Sequence, residues 1–90
     1  MDKRITVYIV LILLIAGCGN SAENHIHSGN EYFQTGEYEL AIEDYSKAIK
    51  QSSKNAGAFY GRARAYGMLG DYEQALADFG QAIKYNPELA

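Results

Sequence analysis

AGAFYGRARAYGMLGDYEQALADFGQAIKYNPEL, residues 56–89, restates a pattern first written by AENHIHSGNEYFQTGEYELAIEDYSKAIKQSSKN, residues 22–55. Aligned without a gap at a period of 34 residues, Ala22, Tyr32, Gly36, Tyr38, Glu39, Ala41, Asp44, Ala48, Ile49 and Lys50 recur as Ala56, Tyr66, Gly70, Tyr72, Glu73, Ala75, Asp78, Ala82, Ile83 and Lys84. The pairs Tyr45/Phe79, Glu37/Asp71 and Ile42/Leu76 are conservative besides. A fixed period of this size marks a stacked architecture, in which each unit cannot bury its apolar face alone and uses its neighbour to do so. The function to expect is therefore binding, not chemistry.

Within each period the residues resolve into two helices and a turn. Ala41, Tyr45, Ala48 and Ile49 fall at i, i+4, i+7 and i+8, as do Ala75, Phe79, Ala82 and Ile83, which places each set on one stripe of a 3.6-residue helix. Alanines let two helix backbones approach closely while Tyr45 and Phe79 fill the remaining gap, and burying such a ring contributes roughly 1.5–3 kcal/mol. Gly36 and Gly70 sit where the first helix of each pair must stop, a position that favours a residue tolerating positive φ. Asp71 reads as the N-cap of the following helix, with Gln74 completing a capping-box pattern. Glu37 has a longer side chain and serves this role less well.

The spacing of Tyr32, Gly36, Tyr38, Ala41, Tyr45 and Ala48 resembles the tetratricopeptide repeat. So does Phe59-x-x-Arg62-Ala63-x-x-Tyr66, followed by Gly70-Asp71-Tyr72, Ala75-x-x-x-Phe79, Ala82 and Pro87. The first copy departs from the pattern at His25, Ser28, Gly29 and Ser53. The resemblance implies an all-α fold of two helix-turn-helix repeats, residues 22–55 and 56–89, giving four antiparallel helices in a short α-solenoid. It also implies a concave groove lined by the first helix of each pair. Carried onto this chain, the groove positions are Ile26, Asn30, Phe33 and Gln34 from the first repeat and Tyr60, Arg64, Gly67 and Met68 from the second. They combine aromatic rings, an adaptable methionine and polar donors suited to a peptide carboxylate or backbone. The alternative is a solvated helix face without a partner. Arg62 stands apart, next to the packing residue Ala63, and is placed to pair with Asp78 or Asp44 between helices.

The start of the chain carries a second signal. Met1-Asp2-Lys3-Arg4 is a short charged region, and Ile5 to Ala16 is an apolar run. It is too short for the roughly 20 residues of a membrane span but suits the apolar region of a signal peptide. Ile15-Ala16-Gly17-Cys18 resembles a bacterial lipobox. That resemblance implies cleavage after Gly17, so that residues 1–17 are a signal peptide, Cys18 carries the lipid, and 18–21 form a short tether. The alternatives for Cys18 are an uncleaved signal anchor, a buried small hydrophobe, a nucleophile or an intermolecular disulfide. No His or Asp constellation accompanies it. Two or three acyl chains would hold the protein stably on a bilayer, since each buried CH₂ contributes about 0.8 kcal/mol. Gly19 is not aspartate, so in a diderm bacterium the resemblance points to the periplasmic face of the outer membrane.

Without residues 1–17, six lysines and arginines face ten acids, a net charge of −4 against −3 for the whole chain. An acidic surface argues against nucleic acid, which needs a basic footprint. His25 and His27 would point about 200° apart on a helix, wrong for joint metal ligation. No phosphate-binding loop, catalytic set or cofactor motif is present, and the expectation is a non-enzyme with no metal or cofactor.

Together these readings give a membrane-anchored lipoprotein of the bacterial envelope whose repeats bind a protein or peptide. Lipoproteins of this general kind assist envelope assembly. Two repeats are few, since at least three are usually needed for a stable array. The chain stops at Pro87-Glu88-Leu89-Ala90, where another first helix would begin. The expectation is accordingly a fragment of a longer array, a self-associating structural or regulatory subunit, or a unit completed by its partner.

Overall fold

The computed structural model describes residues 21–90, all of them in helices, turns or short connections. The signal-peptide reading of 1–17 and the lipidation reading of Cys18 lie outside the described residues. Helical residues 21–34 (α1) are followed by α2 (Tyr38–Gln51), α3 (Ala56–Leu69), α4 (Tyr72–Tyr85) and a single 3₁₀ turn at Pro87–Leu89. Among the described residues there is no strand. The fold is the expected all-α one: α1 and α2 form one antiparallel hairpin, α3 and α4 the next, and α3 packs against both α2 and α4.

Both hairpin turns are built the same way. Gly36 and Gly70 adopt φ of 80° and 84°, the left-handed region that the sequence pattern required of them. In each turn two backbone bonds close the end of the first helix. Gly36 N–H donates to Phe33 O at 3.1 Å and Glu37 N–H to Tyr32 O at 2.9 Å. Gly70 N–H donates to Gly67 O and Asp71 N–H to Tyr66 O at 3.1 and 2.9 Å. This is a Schellman closure, which satisfies carbonyls that the helix end would otherwise leave without partners. The same motif at both places is the 34-residue repeat expressed in backbone geometry.

The expected capping box at Asp71 does not form. Asp71 has φ −83° and ψ 69°, short of the extended backbone of a normal N-cap, and its side chain makes no capping bond. Its backbone does that work instead, with N–H committed to Tyr66 O and C=O accepting from Ala75 N–H at 3.0 Å. The side-chain cap is found at Asn55, whose backbone is extended and whose Oδ1 accepts from Ala58 N–H at 3.2 Å.

The core is made mostly of alanine. Ala41 and Ala48 of α2, Ala58, Ala63 and Ala65 of α3, and Ala75 and Ala82 of α4 are all buried. Among the described residues Tyr45 is the single large side chain that is fully buried. Small residues bring the helices close enough that one ring fills the space between three of them.

Candidate protein-binding groove

Tyr45 organises the surface between α1 and α3. Its ring is held between Gly29 of α1 and Gly61 of α3: a Cβ at Gly29 would stand 2.8 Å from Cε1, and one at Gly61 would stand 2.5 Å from Cζ. Neither position can carry a side chain while the ring stays where it is. Gly29 was a departure from the repeat pattern in sequence. In the structure it is the cavity that admits Tyr45. The hydroxyl passes between the two helices and donates to Oδ1 of Asn30, a groove residue. Burial pushes the Tyr45 hydroxyl above its ordinary tyrosine value, opposed by the nearby charge of Arg64.

Above this ring lies an aromatic and cationic cluster. The Arg64 guanidinium stacks over the Phe33 ring at 4.3 Å from its centroid and lies 5.8 Å from that of Tyr60. Phe33 meets Tyr38 edge-on at 5.3 Å, and Tyr60 meets Phe79 edge-on at 5.8 Å. None of the Arg64 N–H groups donates to a protein acceptor among the described residues, and a guanidinium that stacks on a ring through its face leaves its in-plane donors for a partner. The arrangement presents donors for a carbonyl or carboxylate over an apolar floor.

The eight positions carried over from the repeat pattern separate into distinct environments. Asn30, Gln34, Tyr60, Arg64 and Met68 are exposed, Met68 at 58%. Ile26 and Phe33 are half-buried and also pack against the core of Ala41, Tyr45 and Ala65, so they support the groove as much as line it. Gly67 is half-buried and has open space where a side chain would be. Phe33, Tyr60 and Arg64 are brought into one cluster, with Asn30 joined to it through Tyr45. No ring contact or hydrogen bond ties Gln34 or Met68 to that cluster among the described residues. Sequence reasoning missed Tyr45 and Gly61 as groove-forming residues. The signal available was a large ring in α2 with glycines at the facing positions of both neighbouring helices.

Arg62 has a different task. Its Nε and Nη2 donate to Oδ2 and Oδ1 of Asp78 at 2.7 and 2.8 Å, and its Nη1 donates to Ser46 Oγ at 3.1 Å. One guanidinium on α3 thus ties α4 to α2. Of the two partners open from sequence, Asp78 takes it, and Asp44 instead lies near Lys47 and His25 at 3.9 and 4.0 Å. The hydrogen bonds that Arg62 donates to Asp78 are the main reason that its guanidinium is held above its usual value, although burial opposes them.

Other features point elsewhere. A surface hollow of about 340 Å³ is lined by Gly70, Asp71, Tyr72, Glu73 and Gln74 at the α3–α4 turn, away from the cluster. Among the described residues no three His, Cys, Asp or Glu side chains converge as metal ligands, and no helix is long and apolar enough to cross a membrane.

No curated protein sequence matches the chain. A family model described as TPR repeat matches residues 29–70, and a second, described as Tetratricopeptide repeat, matches residues 56–89. Tetratricopeptide repeats are modules of protein–protein interaction, and proteins built from them are generally adaptors without enzymatic activity. The stacked hairpins, the paired glycine turns and these two matches lead to one assignment: the chain belongs to the tetratricopeptide repeat family.

Proposed function

We propose that this protein is an adaptor, anchored to a bacterial membrane by lipid on Cys18, that takes a protein or peptide segment in the groove between α1 and α3. The observation that carries the groove is the stacking of Arg64 on Phe33 at 4.3 Å with Tyr60 beside it. It places an unengaged guanidinium over aromatic surface, the pairing of residue types that dominates protein interfaces. Asn30, its carbonyl held by Tyr45, keeps its amide N–H groups for the same partner. The anchor is supported by Ile15-Ala16-Gly17-Cys18 after an apolar run. With Cys18 three positions before the first described residue of α1, the groove would stand close to the bilayer, on the outer membrane's periplasmic face where the cell has two membranes. A role in envelope assembly follows from that position.

The experiment is a binding comparison in the membrane. The double variant Arg64→Ala with Tyr60→Ala removes the cation and one ring at exposed positions, so helical content is expected to be unchanged while partner recovery by crosslinking falls at least tenfold, given hot-spot losses of about 2 kcal/mol each. Full recovery with the double variant would remove the groove from the account.

A further inference from the structure

The 34-residue repeat lets the protein serve as its own reference. On α2, Tyr38, Ile42, Tyr45 and Ile49 form a stripe of half-buried to fully buried residues, with Tyr45 against Gly61 of α3, and Tyr38 and Ile42 against a cluster that includes Ala65 of α3. The same four positions on α4 are Tyr72, Leu76, Phe79 and Ile83, where Tyr72 is 69% exposed, Leu76 70% and Ile83 39%. Three residues of a stripe that is covered in the first repeat therefore lie open on the second, while Phe79 is half-buried against Tyr60. The stripe's spacing of 4, 3 and 4 residues is that of a helix-pairing seam.

Head-to-tail stacking of a second copy does not satisfy this stripe. α3 meets α2 through Gly61 and Ala65, with the buried Ala58 one turn before Gly61. The corresponding residues of α1 are Asn24, His27 and Glu31, all exposed, with His27 and Glu31 paired at 3.3 Å. A histidine would stand where only glycine leaves room for the ring of the preceding repeat. The polar face of α1 thus ends the stack on its side, and a copy cannot dock through it on α4.

An isologous contact, α4 against α4, does satisfy it. Glu73 and Lys84 flank the same edge of the stripe, because eleven residues are close to three helical turns and separate them by only about 20° around the axis. They carry opposite charge, and neither is in an ion pair among the described residues. Antiparallel pairing that sets Glu73 opposite the second copy's Lys84 also places the four apolar residues of each helix in the gaps between those of the other, as ridges into grooves require. We infer that two copies of this chain associate through antiparallel α4 helices, sealed by two symmetric Glu73–Lys84 pairs. The groove of each copy is formed by α1 and α3, so the dimer would present two grooves and bind a repetitive or oligomeric partner with avidity.

The test is sedimentation of the full chain in detergent micelles, with Glu73→Lys, Lys84→Glu and the two combined. A seam of one four-turn helix buries a small area, and half-dimerisation is expected at roughly 10 µM. Each single reversal converts two attractive contacts into repulsive ones and should weaken the dimer about tenfold, while the double exchange restores both pairs and should return it to within about threefold of the parent. Leu76→Glu, at a position 70% exposed, should give a folded monomer. A parent that is monomeric at roughly 100 µM, whatever else covers the stripe, overturns the inference. So does open-ended polymerisation, or a dimer indifferent to the single reversals or not restored by their combination.

Discussion

Gly61 of α3 meets the ring of Tyr45 of α2 so closely that a Cβ at Gly61 would lie 2.5 Å from Cζ. This contact sets the separation of the two repeats, and through the hydroxyl it also sets the position of Asn30 at the groove. Gly61→Ala should therefore destabilise the fold by about 1–3 kcal/mol, the usual cost of overpacking a filled site. Thermal unfolding of Gly61→Ala, of Tyr45→Leu and of the two together measures this. The pair should be coupled, the double variant being more stable than the sum of the single losses implies. Additive losses would show that the ring and the glycine do not oppose each other.

The clamp from Arg62 to Asp78 predicts an asymmetric response. Asp78 is 6% exposed and receives two of the three Arg62 hydrogen bonds. Removing it leaves a partly buried guanidinium without its counter-charge. Asp78→Ala should cost about 2–4 kcal/mol, and Ser46→Ala, which loses one neutral partner, about 1 kcal/mol or less. Denaturant titration of both variants checks the ranking, which an equal loss would contradict.

The buried Tyr45 hydroxyl predicts a loss of stability on the alkaline side. Burial raises its pKa in the folded state above the ordinary value of 10.0, with Arg64 opposing in part, so the unfolded chain ionises first. Its contribution is complete below pH 10 and is lost as pH rises through the higher folded value. The denaturation midpoint of the parent should fall more steeply above pH 10 than that of Tyr45→Phe, which has no such proton. Parallel curves would mean that the hydroxyl is not held out of water.

Much of this was legible in the residues, and the exceptions have physical causes. The period of 34 residues, the alanine stripes and the glycines at 36 and 70 give the hairpins, because each is a local requirement of helix geometry. Asp71 misled because the capping pattern is a statement about side chains, whereas the Schellman turn had already committed the backbone on both sides of it. Gly29 looked like a flaw in the first repeat because its meaning lies in a ring sixteen residues away. Arg62 had two acids within reach in the pattern, and only the crossing of α3 over α4 decides for Asp78. The groove was legible as a set of positions, but not that Arg64 would choose Phe33 from the other repeat as its stacking surface.

The anchor makes a separate prediction. If Cys18 accepts lipid, Cys18→Ser should abolish incorporation of labelled fatty acid and leave a product that is uncleaved at Gly17. Membrane fractionation and mass of the mature chain read both effects. Undiminished labelling of the serine variant would remove the lipoprotein reading while leaving the repeats and their groove intact.

The central claim, that the face formed by α1 and α3 holds a protein partner, is tested most directly by site-specific photo-crosslinking in living cells. A photoreactive residue placed at Gln34 or Met68, both exposed beside the groove, is compared with one at Glu43 or Lys47, exposed on α2. The account predicts a discrete crosslinked partner from the groove positions, lost when Arg64→Ala and Tyr60→Ala are added, and none from α2. Crosslinks arising equally from α2, or surviving the double substitution, would contradict it.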